Sequence, residues 1–158
     1  MKYNRQKGFS LIELFIVIAV IIALATVSVL ALNDQRAKTR DSNRISDNRQ
    51  LRTALEFYYS DEGEYPIAAS PIILGSKTAA RLCAKTNGGF VASDTPCSEE
   101  QIYMTAILPD PLATQSYAYT GEAAGFDIVF VTEKPSTLGP AGIYHAHSQI
   151  IDNQAGNK

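Results

Sequence analysis

Residues 14–32 contain no charged side chain, and residues 9–64 contain no proline. The first absence leaves nineteen residues whose polarity is interrupted only by Thr26 and Ser28. As a helix rising ~1.5 Å per residue they span roughly 28 Å, which matches the core of a bilayer. The second absence removes the residue that most often kinks or ends a helix. No small-residue cleavage site follows the apolar run, which excludes a secretory signal peptide and keeps the segment in the protein. Catalytic signatures are missing too: there is no G-x-S-x-G, no H-E-x-x-H and no glycine loop able to cradle phosphates. Asp127, Glu133 and Asp152 are too widely spaced for a calcium loop. Neither an enzyme nor a bound cofactor or metal is expected.

Cysteine is scarce, with Cys83 and Cys97 alone. In a short exported domain such a pair reads as a disulfide, in the cytosol as two free thiols, so the compartment must come from other residues. A length of 158 residues suits one compact unit plus an appendage. The net charge of -2 conceals a block arrangement. The first eight residues carry Lys2, Arg5 and Lys7 and no acid. Residues 33–52 hold six bases against three acids, and residues 53–158 hold five bases against twelve acids. The last block, at about -7, repels phosphates, so no direct nucleic-acid binding is expected. With bases on both sides of the apolar run, charge alone leaves its orientation in a membrane ambiguous.

One carboxylate sits where it needs a reason. Glu13 lies at the edge of the apolar run, and an acid in a bilayer is unfavourable by about 2.5 kcal/mol or more at mid-depth, so it usually has a partner. Read alone, it either snorkels to the headgroups or meets a cation. The run Lys7-Gly8-Phe9-Ser10-Leu11-Ile12-Glu13 before an uncharged segment resembles the leader junction of type IV pilins and of the pseudopilins of type II secretion and competence systems. The resemblance is strong over residues 1–35 and weaker over 36–66, where Arg40-Asp41-Ser42-Asn43-Arg44-Ile45 and Ala54-Leu55-Glu56-Phe57-Tyr58-Tyr59 are similar to pilin sequences. It implies cleavage between Gly8 and Phe9 by a membrane peptidase on the cytoplasmic side, methylation of the new Phe9 amine, and a head outside the inner membrane. It also implies that Glu13 neutralises the Phe9 amine of a neighbouring subunit in a filament. The partners so implied are copies of the same chain, the prepilin peptidase and methyltransferase, the inner-membrane assembly machinery, minor pilins, and lipid before assembly. Relatives often carry a proline in the second half of the apolar helix; this chain does not. In an exported head, Cys83 and Cys97 are expected to be linked.

The remaining organisation follows from periodicity. Leu51, Ala54, Leu55 and Tyr58 fall on one helical face, and Gly63 and Pro66 supply a stop. Residues 33–48 show only Ala37 and Ile45 as apolar, which predicts an exposed stretch or one that meets other subunits through charge. If residues 9–60 form one helix, it is roughly 78 Å long. Segments 116–120 and 126–132 alternate and read as a hairpin joined by residues 121–125; 142–150 is a third strand. Residues 67–115 read as loop with one short helix, and 152–158 as a frayed tail. His145 and His147, two apart on a strand, face the same way; without a third ligand they read as an exposed pair rather than a metal site. The sequence therefore predicts an α+β fold, a long N-terminal helix whose inner half is transmembrane and whose outer half packs on a small antiparallel sheet. Its parts are a leader (1–8), an assembly helix (9–32), a stem (33–60) and a head (61–158). A membrane-anchored adhesin or receptor is the alternative to a filament subunit.

Overall fold

The computed structural model describes residues 9–156. Helix α1 spans Leu11–Glu62, and contacts divide the chain into a unit of residues 1–36 and a unit of residues 37–158. The first unit contributes α1 residues that are apolar and exposed all round, among them Leu11, Phe15, Ile18 and Leu24. By length and hydropathy this helix is able to cross a membrane. Thr26, a polar residue within the run, turns its hydroxyl back to the carbonyls of Ala23 (2.8 Å) and Ile22 (3.1 Å), so its own donor is satisfied within the helix.

In the second unit α1 meets an antiparallel sheet in the order β1-β5-β6-β7-β8. Its strands are β1 (Ala68–Leu74), β5 (Tyr117–Glu122), β6 (Gly125–Thr132), β7 (Gly142–Ala146) and β8 (Ile151–Asp152). A smaller sheet, ordered β3-β2-β4, consists of β2 (Arg81–Cys83), β3 (Phe90–Val91) and β4 (Ile102–Met104). Period-2 alternation aims Tyr117, Tyr119, Phe126, Ile128 and Phe130 inward, where they join Ile45, Leu51, Leu55 and Tyr58 of α1 in one apolar cluster. Helix α1 ends at Gly63, whose φ of 76° is the left-handed conformation suited to a helix stop. Strand β1 stands at the edge of its sheet and slips register between Ala68 and Ile72, around Pro71, which cannot donate to a ladder. Gly121 is required for a different reason: a Cβ there would run into the Tyr119 hydroxyl and the Pro66 carbonyl, which are hydrogen-bonded to each other at 2.7 Å.

The hairpin falls where alternation places it, with Glu122 opposite Gly125 and two alanines between them. Three features differ from the sequence reading. Residues 67–115 are not loop with one short helix: they hold β1 and the whole three-stranded sheet. The third strand of the hairpin sheet stops at Ala146 rather than 150. The tail expected to fray from 152 onward pairs with β7 through Asp152 and His145, next to the pair of Ile151 and Ala146, and the Gly156 amide reaches the Asp127 carboxylate. Strands of two or three residues are too short to show a period, so their pairing partners decide them.

Candidate functional site

Of the junction residues, Gly8 lies outside the described residues. Phe9 precedes α1 and is 80% exposed. Glu13 sits in the first turn, its amide bonded to the Ser10 carbonyl at 3.0 Å. A carboxylate there is favoured by the helix macrodipole, so the acid does not weaken the helix that it starts. The result is a single carboxylate at the head of an exposed apolar cylinder.

The site that periodicity missed lies on α1 within the second unit. Ala37, Asp41, Arg44, Asn48, Leu51, Leu55 and Tyr58 alternate in steps of four and three along the helix, and all are buried. The expectation that residues 33–48 present only an exposed charged face is therefore corrected. Arg44 is fully buried, and its guanidinium grips Asp110 in a fork, Nε and Nη2 each donating at 2.8 Å. Its Nη1 donates to Asp41 at 2.7 Å and to Glu133 at 2.8 Å. Arg40 closes a second fork on Glu133 at 2.8 and 2.6 Å. Asp41 also accepts the amides of Glu133 and Lys134, and Asp110 that of Leu112, so the carboxylates are satisfied by backbone as well as by guanidinium.

Desolvation of Arg44 disfavours its charge, but the hydrogen bonds it donates to Asp110, Glu133 and Asp41 more than offset it and push its pKa up. The bonds from Arg40, followed by those from Arg44, hold the Glu133 carboxyl down at about 2 against a partial desolvation cost. Chemically this cluster has no nucleophile and no open coordination position. It clamps α1 to the loop before β5 and to the end of β6. The available signal was the stripe itself, continued from Leu51 back to Ala37 through polar residues that an apolar count passes over.

Cys83 and Cys97 form a disulfide, with Cα atoms 6.4 Å apart. It ties β2 to the loop before β4, the link expected between these two cysteines. His145 and His147 are parallel, with ring centroids 6.1 Å apart. They are not an exposed pair, since His147 is fully buried. His145 Nδ1 donates to the Asp127 carboxylate at 2.8 Å, and His147 Nε2 to the Gln154 carbonyl at 2.9 Å. His147 therefore holds the tail on the sheet, while His145 bridges β7 to Asp127 of β6; among the described residues no group of three metal-ligating side chains occurs.

Comparison with known proteins agrees with this architecture. Residues 3–30 match the family described as the prokaryotic N-terminal methylation motif. Fimbrial protein EcpC of Eikenella corrodens is 32% identical over 120 residues, covering 76% of this chain and 68% of the relative. Type IV major pilin protein PilE1 of Neisseria gonorrhoeae is 41% identical over 61 residues, 39% of this chain and 37% of the relative. Type II secretion system core protein G of Aeromonas hydrophila is 35% identical over 66 residues, 42% of this chain and 46% of the relative. No solved structure matches significantly. A long apolar-headed helix on an antiparallel sheet, with the methylation motif at its start, defines a pilin-like structural subunit rather than an enzyme. The chain belongs to the type IV pilin and pseudopilin family.

Proposed function

We propose that the chain is made as an inner-membrane precursor, cut between Gly8 and Phe9 and methylated on the Phe9 amine. It is then drawn from the membrane into an extracytoplasmic filament, a type IV pilus or a secretion or competence pseudopilus. The observation that carries this reading is Glu13, the one acid in the first turn of an exposed apolar helix. Among the described residues Glu13 forms no ion pair, and cleavage before Phe9 supplies a cation, four residues away in its own chain and available from a neighbour's. In low dielectric such a charge-assisted contact is much stronger than at a wet surface. The exposed apolar face first takes lipid and then other copies, exchanging one apolar environment for another at little cost in hydration.

Mass spectrometry of sheared surface filaments tests this. A mature chain beginning at N-methyl-Phe9 is expected in many copies per filament. Finding residues 1–8 in the assembled form, or the protein only as isolated membrane molecules, would overturn the reading; the second result is what an anchored adhesin would give.

A further inference from the structure

Between heads of like net charge, contact is favoured where the local signs differ. Residues 53–158 are acidic, and no lysine or arginine occurs between Lys85 and Lys134. Within that stretch Asp94, Glu99 and Glu100 are exposed and, among the described residues, form no ion pair. They flank Cys97, whose disulfide ties the segment to β2, so the three carboxylates stand on a fixed support rather than a mobile loop.

A block of opposite sign is also exposed in the second unit, with Lys38 and Arg49 on the outer face of α1. Along the open face of α1, a groove of about 460 Å³ runs beside Lys38, Ser42 and Ser46 to Arg49, walled by Pro135 and Thr137. A second groove of about 400 Å³ shares Ser46 and Arg49 and continues to the exposed Phe57 and to Tyr103. Arg49 is exposed and, among the described residues, has no ion pair. The trough therefore offers a cation, two serine hydroxyls and an apolar end.

We propose that residues 94–100 of one copy dock on the trough along α1 of a second copy, with Arg49 facing the carboxylates of Asp94, Glu99 and Glu100. This rests on the filament reading above and names the surface that would extend it. Acidic segment and basic trough are different surfaces of one chain, so the contact is heterologous. Such a contact repeats into an open helical array unless its rotation closes a ring. Opposite sign overcomes the repulsion of like-charged heads at short range, and salt screens it beyond a Debye length of about 10 Å. The disulfide lowers the ordering cost of the docking segment.

The test uses the full chain in its host. A photo-crosslinking residue at position 46 is irradiated in whole cells, and the products are mapped by mass spectrometry. Adducts to residues 94–100 of a second copy are expected. Arg49→Glu, and Glu99→Lys with Glu100→Lys, should each lower sheared-filament yield about ten-fold through like-charge contact. Combining all three should restore most of it, with processed monomer unchanged throughout. Adducts elsewhere on this chain or on another protein, or charge variants that assemble at wild-type yield, would overturn the docking. Whole-cell irradiation reads the contact whether or not filaments can be sheared off, so a lack of filaments with adducts at 94–100 would sink the polymerisation reading alone.

Discussion

Between Leu11 and Arg36, α1 carries exposed apolar side chains; between Ala37 and Glu62 it carries a polar exterior over a buried stripe that includes two charges. The two stretches share one backbone conformation and differ in what satisfies them. Apart from Glu13 and residues 33–36 the first is apolar in sequence, which suits lipid or a bundle of identical helices and gives no single direction for packing. The second is satisfied within its own chain by a sheet and by three carboxylates. A helix of this kind is a loose part at one end and a finished one at the other, so a substitution should damage assembly or head stability according to where it falls.

The largest separation of those effects is expected at Glu13. Glu13→Gln should leave insertion and cleavage intact, change thermal stability of the detergent-solubilised full chain by no more than about 0.5 kcal/mol, and abolish filaments. An unpaired Phe9 amine buried in the bundle is unfavourable by several kcal/mol. Filament yield and processing are to be measured together in one strain; normal filaments of processed Glu13→Gln protein would remove the proposed role of Glu13.

Arg44→Ala is the converse change. It strips Asp110 and Asp41 of their buried partner and should destabilise the second unit by about 3–5 kcal/mol in denaturant unfolding, with membrane insertion unaffected. A loss below about 1 kcal/mol would mean that the cluster behaves as solvated surface charge. Smaller again is replacement of both cysteines by alanine. Loop entropy for a sequence separation of 14 residues predicts a loss of ~3 kcal/mol, and reductant should reproduce it in the wild type.

The finest test is pH. Glu133 is held at about 2, below the ordinary carboxylate value of 4.5, chiefly by Arg40. A depressed folded-state pKa contributes stability above the unfolded value and loses it as pH falls toward the folded one. Melting temperature should therefore drop between pH 4.5 and about 2, and Glu133→Gln should flatten that limb. An unchanged slope would show that the two forks on Glu133 contribute nothing to acid sensitivity.

How much of this was legible depended on which residues carried the pattern. The uncharged run, an unbroken helix, expected over 9–60 and found over Leu11–Glu62, and the alternation of β5 and β6 all rest on local chemistry: hydropathy, backbone freedom and a period of two. Those the sequence by itself determined. The burial of Asp41, Arg44 and Asn48 could not be read in the same way. A buried guanidinium is tolerable only when its carboxylates arrive, and Asp110 and Glu133 come from 66 and 89 residues away. His147 is likewise buried because Gln154 and Asp152 fold back over it, and β2 to β4 exist because a disulfide and one another hold them. The tertiary structure decided these features, since charge burial and the pairing of very short strands draw their free energy from partners distant in sequence, which no local period records.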